Sequence, residues 1–461
     1  MTRLRMRSCA LLASLFTAST AALLACGDDG SQPLTGDVPG ADAADGSPSP
    51  DDRDAGDLDA GDADPAPDYD ASDELVVCSG TPCATQLAAG ANHFCALLSD
   101  GTVRCWGHDH RGALGRGQLD GSDAGVGPRP VVGMANATQI SAAPAGSTTC
   151  ARTADGDVRC WGDNSSGQLG LAPPPDSDPY VLDSDDHTRP TKVSLSVSAA
   201  RVDVGQYTAC AIGADDKVYC WGLNDSRQLA RPASTSSYES PGAADLEHHL
   251  VTRLTLSGYS SFGLTTDGRL LNWGRASGRD SSLPHFEGSA RPVPLPTLSG
   301  VTRTAASGSL SGGDDHVCAI AGGKVYCWGE NGSGALGTGV PDSERLPALA
   351  GILAGDRVYP QQLAVAPKRT CVRMTNGTIQ CCGTNELGQL GRGDAGPFVA
   401  RFGRATAFDQ HAVQVATSSN TTCALVQGGK VMCWGGNTYG ELGQGTADPE
   451  PHPTPVRVVF E

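Results

Sequence analysis

Beyond residue 25 the chain has no apolar run long enough to cross a bilayer, so no membrane-spanning helix is expected after that point. Basic character is also missing. With 33 Lys and Arg against 51 Asp and Glu the formal net charge is −18, and no basic stripe offers itself to nucleic acid. Aromatic residues are 5% of the chain, too few to furnish a broad stacking face for sugars. Helical periodicity is scarce, which argues against a bundle or a helical solenoid. Signatures of common enzymes are absent too. No Gly-x-Ser-x-Gly elbow occurs; Gly258-Tyr259-Ser260-Ser261-Phe262-Gly263 comes nearest, but it is one residue too long and falls in an expected strand. No glycine-rich loop runs into Lys-Ser or Lys-Thr to cradle phosphate. The ten His residues are scattered. His108 with His110, and His248 with His249, sit in expected loops beside Asp109 and Glu247, which suits adventitious metal contact better than a built site. No cofactor, metal or catalytic residue is therefore expected.

What is present begins with an export signal. Arg3, Arg5 and Arg7 precede an apolar stretch that ends in Leu23-Leu24-Ala25-Cys26. This ending resembles the lipobox of bacterial lipoproteins. The resemblance implies a signal peptide over residues 1–25, lipid on Cys26 and a place at the cell envelope, on the outer membrane or cell surface. Plain cleavage with secretion is the alternative. Residues 26–77 then read as an acidic tether. Between 27 and 77 stand fifteen Asp, one Glu and a single base, Arg53, among Gly, Ala, Ser and Pro. Such a segment repels itself and has no apolar face to bury, so it is expected to be disordered and to hold the next domain off the membrane. The Gly and Glu spacing of a calcium loop is missing from it. With the signal at +3 and the tether at −15, residues 78–461 are left at −6.

Those 384 residues are too many for one sandwich but need no division if they form a repeat architecture. A signature recurs seven times, first as His93-Phe94-Cys95-Ala96-Leu97 running through Asp100-Gly101 to Cys105-Trp106-Gly107. Later copies end at Trp161-Gly162, Trp221-Gly222, Trp273-Gly274, Trp328-Gly329, Cys382-Gly383 and Trp434-Gly435, at spacings of 52 to 60 residues. All six Trp residues fall at this one position, and the sixth copy has Cys382 there. Several copies continue into Asn-x-x-Gly-x-Leu-Gly, as over 164–170, 331–337, 385–391 and 437–443. Short runs of period two, with turn signals every ten residues or so, are strand patterning. Four short strands per unit of this length make a propeller blade. The fold class expected is all-β: a seven-bladed β-propeller of four-stranded antiparallel blades over residues 78–461.

The cysteines fit such blades. Cys95/Cys105, Cys150/Cys160, Cys210/Cys220, Cys371/Cys381 and Cys423/Cys433 are ten residues apart, with a turn dipeptide between the partners. A three-residue loop whose last residue is left-handed sets each pair face to face; that residue is Gly in four pairs and Asp216 in the other. Cys318/Cys327, nine apart, face each other across a two-residue Gly322-Gly323 turn. Counting out from the turns places the pairs at non-hydrogen-bonded sites, within disulfide reach. The fourth copy has Phe262 and Asn272 and lacks both partners at once. Six intra-blade disulfides are expected in an exported chain. Cys78 and Cys83 could close a small loop at the domain edge. Two readings stand for Cys382: a free buried thiol, or a competitor of Cys381 for Cys371.

The repeats resemble those of the regulator of chromosome condensation family, which carry His-Ser/Thr-x-Ala-Leu, Asp-Gly, aromatic-x-Trp-Gly and Asn-x-x-Gly-Gln-Leu-Gly in this order. The resemblance covers about residues 84–461 and implies seven blades per closed ring. The His recurs only at His93 and His316, and the fourth copy reads Trp273-Gly274-Arg275-Ala276-Ser277 in place of the Asn-Gly-Gln-Leu-Gly part. Cysteine at two strand positions is typical of exported bacterial proteins that resemble this family. For closure, Pro453-Thr454-Pro455-Val456-Arg457-Val458-Val459 is expected to join residues 84–90 in one shared blade, because open ends would leave two bare sheet edges.

The repeated residues have structural roles: Trp for packing between blades, Gly and Asp for turns. Function is then expected in the non-repeating loops 171–189, 231–249 and 275–296 of blades two to four, where Tyr238, Glu239, His285 and Phe286 are candidate partner-binding residues. The expectation is a non-catalytic, protein-binding scaffold at the envelope, a monomer that meets the membrane only through its lipid. A propeller lyase or hydrolase working in the central channel, and a glycan or cell-wall binder, are the alternatives.

Overall fold

Alternating short runs, broken by Gly and Asp turns, fold into seven antiparallel sheets of four strands each. The computed structural model describes residues 70–118, 124–171, 185–232, 238–275, 289–295, 297–307 and 315–460. They belong to a compact unit, Asp62–Glu461; the other unit, Met1–Gly61, lies outside the described residues, as do Cys26, His285 and Phe286. In each sheet the strands follow one another in chain order from the axis outward. The inner strands, Ala84–Ala89, Ala137–Ala142, Ala199–Val204, Val251–Leu256, Val301–Ala306, Pro360–Ala366 and Ala412–Thr417, neighbour one another in a closed ring. A single 3₁₀ turn at His110–Gly112 is the one helical element among the described residues.

The second and third strands of each blade form the hairpin read from the cysteine spacing. Cys95 pairs with Cys105, Cys150 with Cys160, Cys210 with Cys220, Cys371 with Cys381 and Cys423 with Cys433, and Cys318 with Cys327 across its shorter turn. All six pairs are disulfide-bonded, with Cα atoms 4.1 Å apart, the narrow approach of a non-hydrogen-bonded site. Asp216 takes the left-handed conformation at φ 62°, and Gly322 and Gly323 are both at positive φ, as the two turn types require. In the fourth blade Phe262 and Asn272 occupy the same opposed positions. Cys78 and Cys83 are bonded as well. Cys381 takes Cys371, so Cys382, one residue further on and on the opposite face, is free and fully buried.

Blades hold one another through the repeated residues. Trp106, Trp161, Trp221, Trp273 and Trp434 are buried, and each indole Nε1 donates to a carbonyl of the preceding blade: Glu441, Ala113, Gln168, Gln228 and Gln389 respectively. Those carbonyls belong to the middle residue of Gly-x-Leu or its equivalent. The loop carrying them is fixed by its first residue, whose Oδ1 accepts from the Leu amide, as Asn164 does from Leu169 at 3.0 Å and Asp109 from Leu114 at 3.0 Å. His93 and His316, both buried, reach Thr149 and Thr370 of the next blade at 2.8 and 2.7 Å. Burial lowers His93 to about 4, so this imidazole is neutral at ordinary pH.

Ring closure differs from the shared blade expected above. The last strand, Asp448–Arg457, pairs with Lys430–Asn437 of its own blade, and Ala84–Ala89 pairs with His93–Leu98 of its own. The Pro-rich run is the outermost strand of blade seven, where missing N–H groups cost least. Blades one and seven meet as the other neighbours do. Ala84 N donates to Gly429 O at 3.0 Å, Trp106 reaches Glu441 O, and one apolar cluster spans Leu87, Phe94 and Trp106 with Val413, Leu425, Leu442 and Val458.

Candidate functional site

The third residue of each inner strand decides what the axis looks like. It is Gln86, Gln139, Arg201, Arg253, Arg303, Gln362 and Gln414 in blades one to seven. A glutamine here clasps the next blade's inner strand. Gln86 Nε2 donates to Ile140 O at 3.0 Å while its Oε1 accepts from Ile140 N at 2.9 Å. Gln139 does the same with Val202, and Gln414 with Leu87. Gln362 Oε1 accepts from Val415 N. Arginine has donors and no acceptor, so it cannot make the reciprocal clasp. Three consecutive blades thus give up that contact and set guanidinium groups around the axis.

These arginines line one mouth of the ring, around a cavity of about 680 Å³. Arg201 is held by Asp203 of its own strand, Nε to Oδ2 at 2.7 Å, and Asp203 raises it above its ordinary value against the effect of burial. Arg373, from the second strand of blade six, completes the cluster with its side chain 1% exposed. Burial lowers Arg373 to about 10, which leaves it charged at neutral pH. Four guanidinium groups stand together here in a domain that is acidic as a whole.

The acidic segment meets them. Its last eight residues, Asp70–Val77, expected to be disordered with the rest of the tether, lie across this mouth instead, with a bend at Ser72 where its N–H donates to Asp70 Oδ1 at 2.8 Å. Asp73 bridges Arg253 at 2.8 Å and Arg303 at 2.9 Å. Burial pushes the Asp73 carboxyl up, but the two guanidinium groups outweigh it and hold the group below the usual carboxylate range. Glu74 pairs with Arg373, lies 2.9 Å from His411 Nε2 and accepts from Gln427 Nε2 at 2.9 Å. The main chain is gripped as well. Gln361 Nε2 donates to the carbonyls of Asp70 and Ser72, Arg303 to that of Ala71 and Gln427 to that of Leu75, while Gln427 Oε1 accepts from Val77 N at 3.0 Å. Blades four to seven therefore hold this peptide by two carboxylates, four carbonyls and one amide. The Cys78–Cys83 bond follows directly, and a bridge from Cys78 to Gly428 ties this end to blade seven.

Deeper along the axis a narrower space of about 240 Å³ is lined by inner-strand residues of all seven blades, among them Leu87, Ser141, Asp203, Leu254, Thr304, Leu363 and Val415. Among the described residues no three His, Cys, Asp or Glu stand together as a metal site would require. Of the loop residues singled out above, Tyr238 is 38% exposed at the start of the outer strand of blade three. Glu239, next to it, is turned into its own blade, with Arg231 at 3.2 Å and Asn224 at 2.6 Å. Of the loops 171–189, 231–249 and 275–296, residues 172–184, 233–237, 276–288 and 296 lie outside the described residues.

The axial arginines were not singled out from sequence, where attention fell on the Cys and Trp signature. Their signal is there: aligned inner strands read Ala-Thr-Gln86 and Ala-Thr-Gln139, then Ala-Ala-Arg201, Val-Thr-Arg253 and Val-Thr-Arg303.

Comparison with known proteins agrees with this architecture. The model of the regulator of chromosome condensation (RCC1) repeat matches residues 84–113, 146–168, 199–228 and 412–441, and a second model of the same repeat matches residues 322–374. The blade without cysteines lies outside both. The chain is 28% identical over 275 residues to the human E3 ubiquitin-protein ligase HERC2, a match covering 59% of this chain and 5% of that one. It is 26% identical to the mitochondrial RCC1 domain-containing protein RUG3 of Arabidopsis thaliana, covering 58% of each, and 24% identical to the ultraviolet-B receptor UVR8 of the same plant, covering 68% of this chain and 69% of the receptor. The matches thus span a twentieth of the ligase and somewhat over half of the mitochondrial protein. Among solved structures, human WBSCR16 superposes with a TM-score of 0.65 at 19% identity, covering 78% of this chain and 95% of that one. Yeast RCC1 (Prp20), in its complex with Kap60, gives 0.63 at 18% identity, covering 84% and 87%.

Proposed function

Since the chain belongs to the regulator of chromosome condensation repeat family, we propose that it is a protein-binding scaffold without catalytic chemistry of its own, held at the cell envelope by lipid on Cys26. The observation that carries this reading is the grip of the axial mouth on residues 70–77, by side chains and main chain together. The repeated polar residues are consumed in joining blades, whereas Arg253, Arg303, Gln361 and Gln427 are committed to a segment lying on the ring. Relatives point the same way: yeast RCC1 (Prp20) is seen bound to Kap60. Tyr238, and the loop with His285 and Phe286, would extend the contact surface around blades three and four. An exported, lipid-anchored chain would meet its partners outside the cytoplasm.

The test is affinity capture from intact envelopes with the wild-type chain and with Arg253→Ala/Arg303→Ala, followed by mass spectrometry of the bound proteins. The reading expects a defined partner set on the wild type that is depleted about tenfold or more on the variant, the loss of one to two charge-assisted contacts. Identical protein sets on both would refute it. Lipid on Cys26 is read by mass spectrometry of the mature N-terminus.

A further inference from the structure

We propose that the axial arginine mouth is a recognition site for acidic peptides, and that residues 70–77 are its resident occupant, which a partner's Asp/Glu segment displaces. This deepens the reading above and rests on it. The site is built as a peptide site is built. Two carboxylates enter between guanidinium groups, and the main chain on either side is taken by side-chain amides from separate blades. Main-chain contacts of this kind do not depend on side-chain identity, and Asp73 and Glu74 supply the charge that selects acidic sequence.

Two features make the resident exchangeable. The first is that apolar anchoring is confined to Val76, which packs against the cluster between blades one and seven; Leu75 is 81% exposed and Val77 73% exposed, and the other contacts are polar ones that a second acidic peptide can reproduce. The second is that the Asp73 side chain is itself 59% exposed, so a competing carboxylate can approach its two guanidinium partners from solvent. The segment stays because it is tethered. Joined to the ring immediately beyond, at Cys78 and Cys83, it has an effective concentration on the order of millimolar and outcompetes free peptide of similar intrinsic affinity. An incoming partner therefore needs either more acidic residues than the resident or a second contact elsewhere on the ring.

The experiment measures binding of a fluorescein-labelled peptide with the sequence of residues 70–77 to the full-length protein by fluorescence polarisation. In Asp73→Ala/Glu74→Ala, which keeps every arginine of the mouth, the peptide should bind about tenfold more tightly than in wild type, the release from a competing tethered ligand. Adding Arg253→Ala/Arg303→Ala to that protein should abolish the gain, and a peptide carrying Asp73→Asn and Glu74→Gln should not show it. In wild type, saturating unlabelled peptide should raise hydrogen exchange at residues 70–77. The proposal is overturned if the unmasked protein binds no better than wild type, if the amide peptide binds equally well, or if exchange at 70–77 is unmoved. Failure here with capture still dependent on Arg253 and Arg303 removes only the exchange of peptides. Success here with capture indifferent to those arginines removes the scaffold reading and leaves a peptide site.

Discussion

Cys382 shows how one residue can replace a repeated anchor. It stands where six blades have Trp, and its Sγ donates to Ala335 O at 3.2 Å, the carbonyl equivalent to those the indoles use. The missing ring volume comes from Phe402 of the outer strand, which lies over Gly337 as Trp161 lies over Gly115; a Cβ on Gly337 would fall 2.3 Å from its ring, and φ there is +69°. Burial pushes the thiol up, so Cys382 is inert packing and not a redox centre. Glu441 is a second local departure. Its carbonyl receives Trp106 and its Oε2 accepts from Tyr439 N at 2.7 Å, the bond that the neutral Gln168 and Gln389 make at 2.8 Å in other blades. Burial raises the Glu441 carboxyl above the ordinary range despite that amide. A carboxyl whose folded value is raised contributes its stability below the unfolded value and loses it as pH rises. Glu441→Gln should therefore stabilise the protein at pH 7 by on the order of 1 kcal/mol, the cost of a buried charge over a neutral amide. The gain should shrink towards pH 4. Denaturant melts at both values test this; a gain that is larger at pH 4 would contradict it.

The hairpin of the fourth blade is a natural version of the others without sulfur. Phe262 and Asn272 face each other there, Phe262 packs edge-on against Trp328 at 6.1 Å, and Asn272 Nδ2 donates to Ser261 O at 3.2 Å. Phe262→Cys/Asn272→Cys should form a disulfide on oxidation, seen by non-reducing peptide mapping. The bond should add about 2–3 kcal/mol by restricting the unfolded chain. Losing the buried ring costs about 3–5 kcal/mol. The oxidised variant should consequently melt no higher than the parent, and a clearly higher melting temperature would show that Phe262 contributes less than its burial implies. The same hairpins mark what sequence can disclose. Cysteines ten residues apart around a turn report a local geometry, so the sheets and their bonded pairs were legible, including the two-residue turn at Gly322-Gly323. The axial site was not. Asp73 and Arg253 are 180 residues apart in the chain, and a carboxylate in an Asp-rich tract looks solvated until the ring brings a guanidinium to it. Glu239 shows the complementary limit: a polar loop residue reads as a contact point, and its pairing with Arg231 and Asn224 inside the blade becomes visible only in the fold.

The ring as a whole is closed without exchange of a strand, and this has a mechanical consequence. A propeller sealed by a shared blade depends on its two termini pairing with each other. Here each blade is continuous in sequence, and blades one and seven meet through Trp106, the Leu87–Gln414 clasp and one apolar cluster, the same kinds of contact that join other neighbours. No boundary is then privileged, and stability should be distributed over nearest-neighbour interfaces. The exposed turn at Glu247 and His248, between blades three and four, is a boundary of equal standing. A circular permutant beginning at His248, with Phe460 joined to Asp70 by a flexible linker of about fifteen Gly and Ser residues, should fold with all seven disulfides and lie within about 2 kcal/mol of the parent. Opening the chain at Gly101 instead divides the hairpin of blade one between the two ends, leaving its sheet to be completed by strands from opposite termini, and should cost more. Denaturant melts of the two permutants, with non-reducing mapping of their cysteines, make the comparison. If the His248 permutant fails to fold while the Gly101 permutant succeeds, the ring depends on pairing between its ends after all, and closure by ordinary blade contacts is the wrong account.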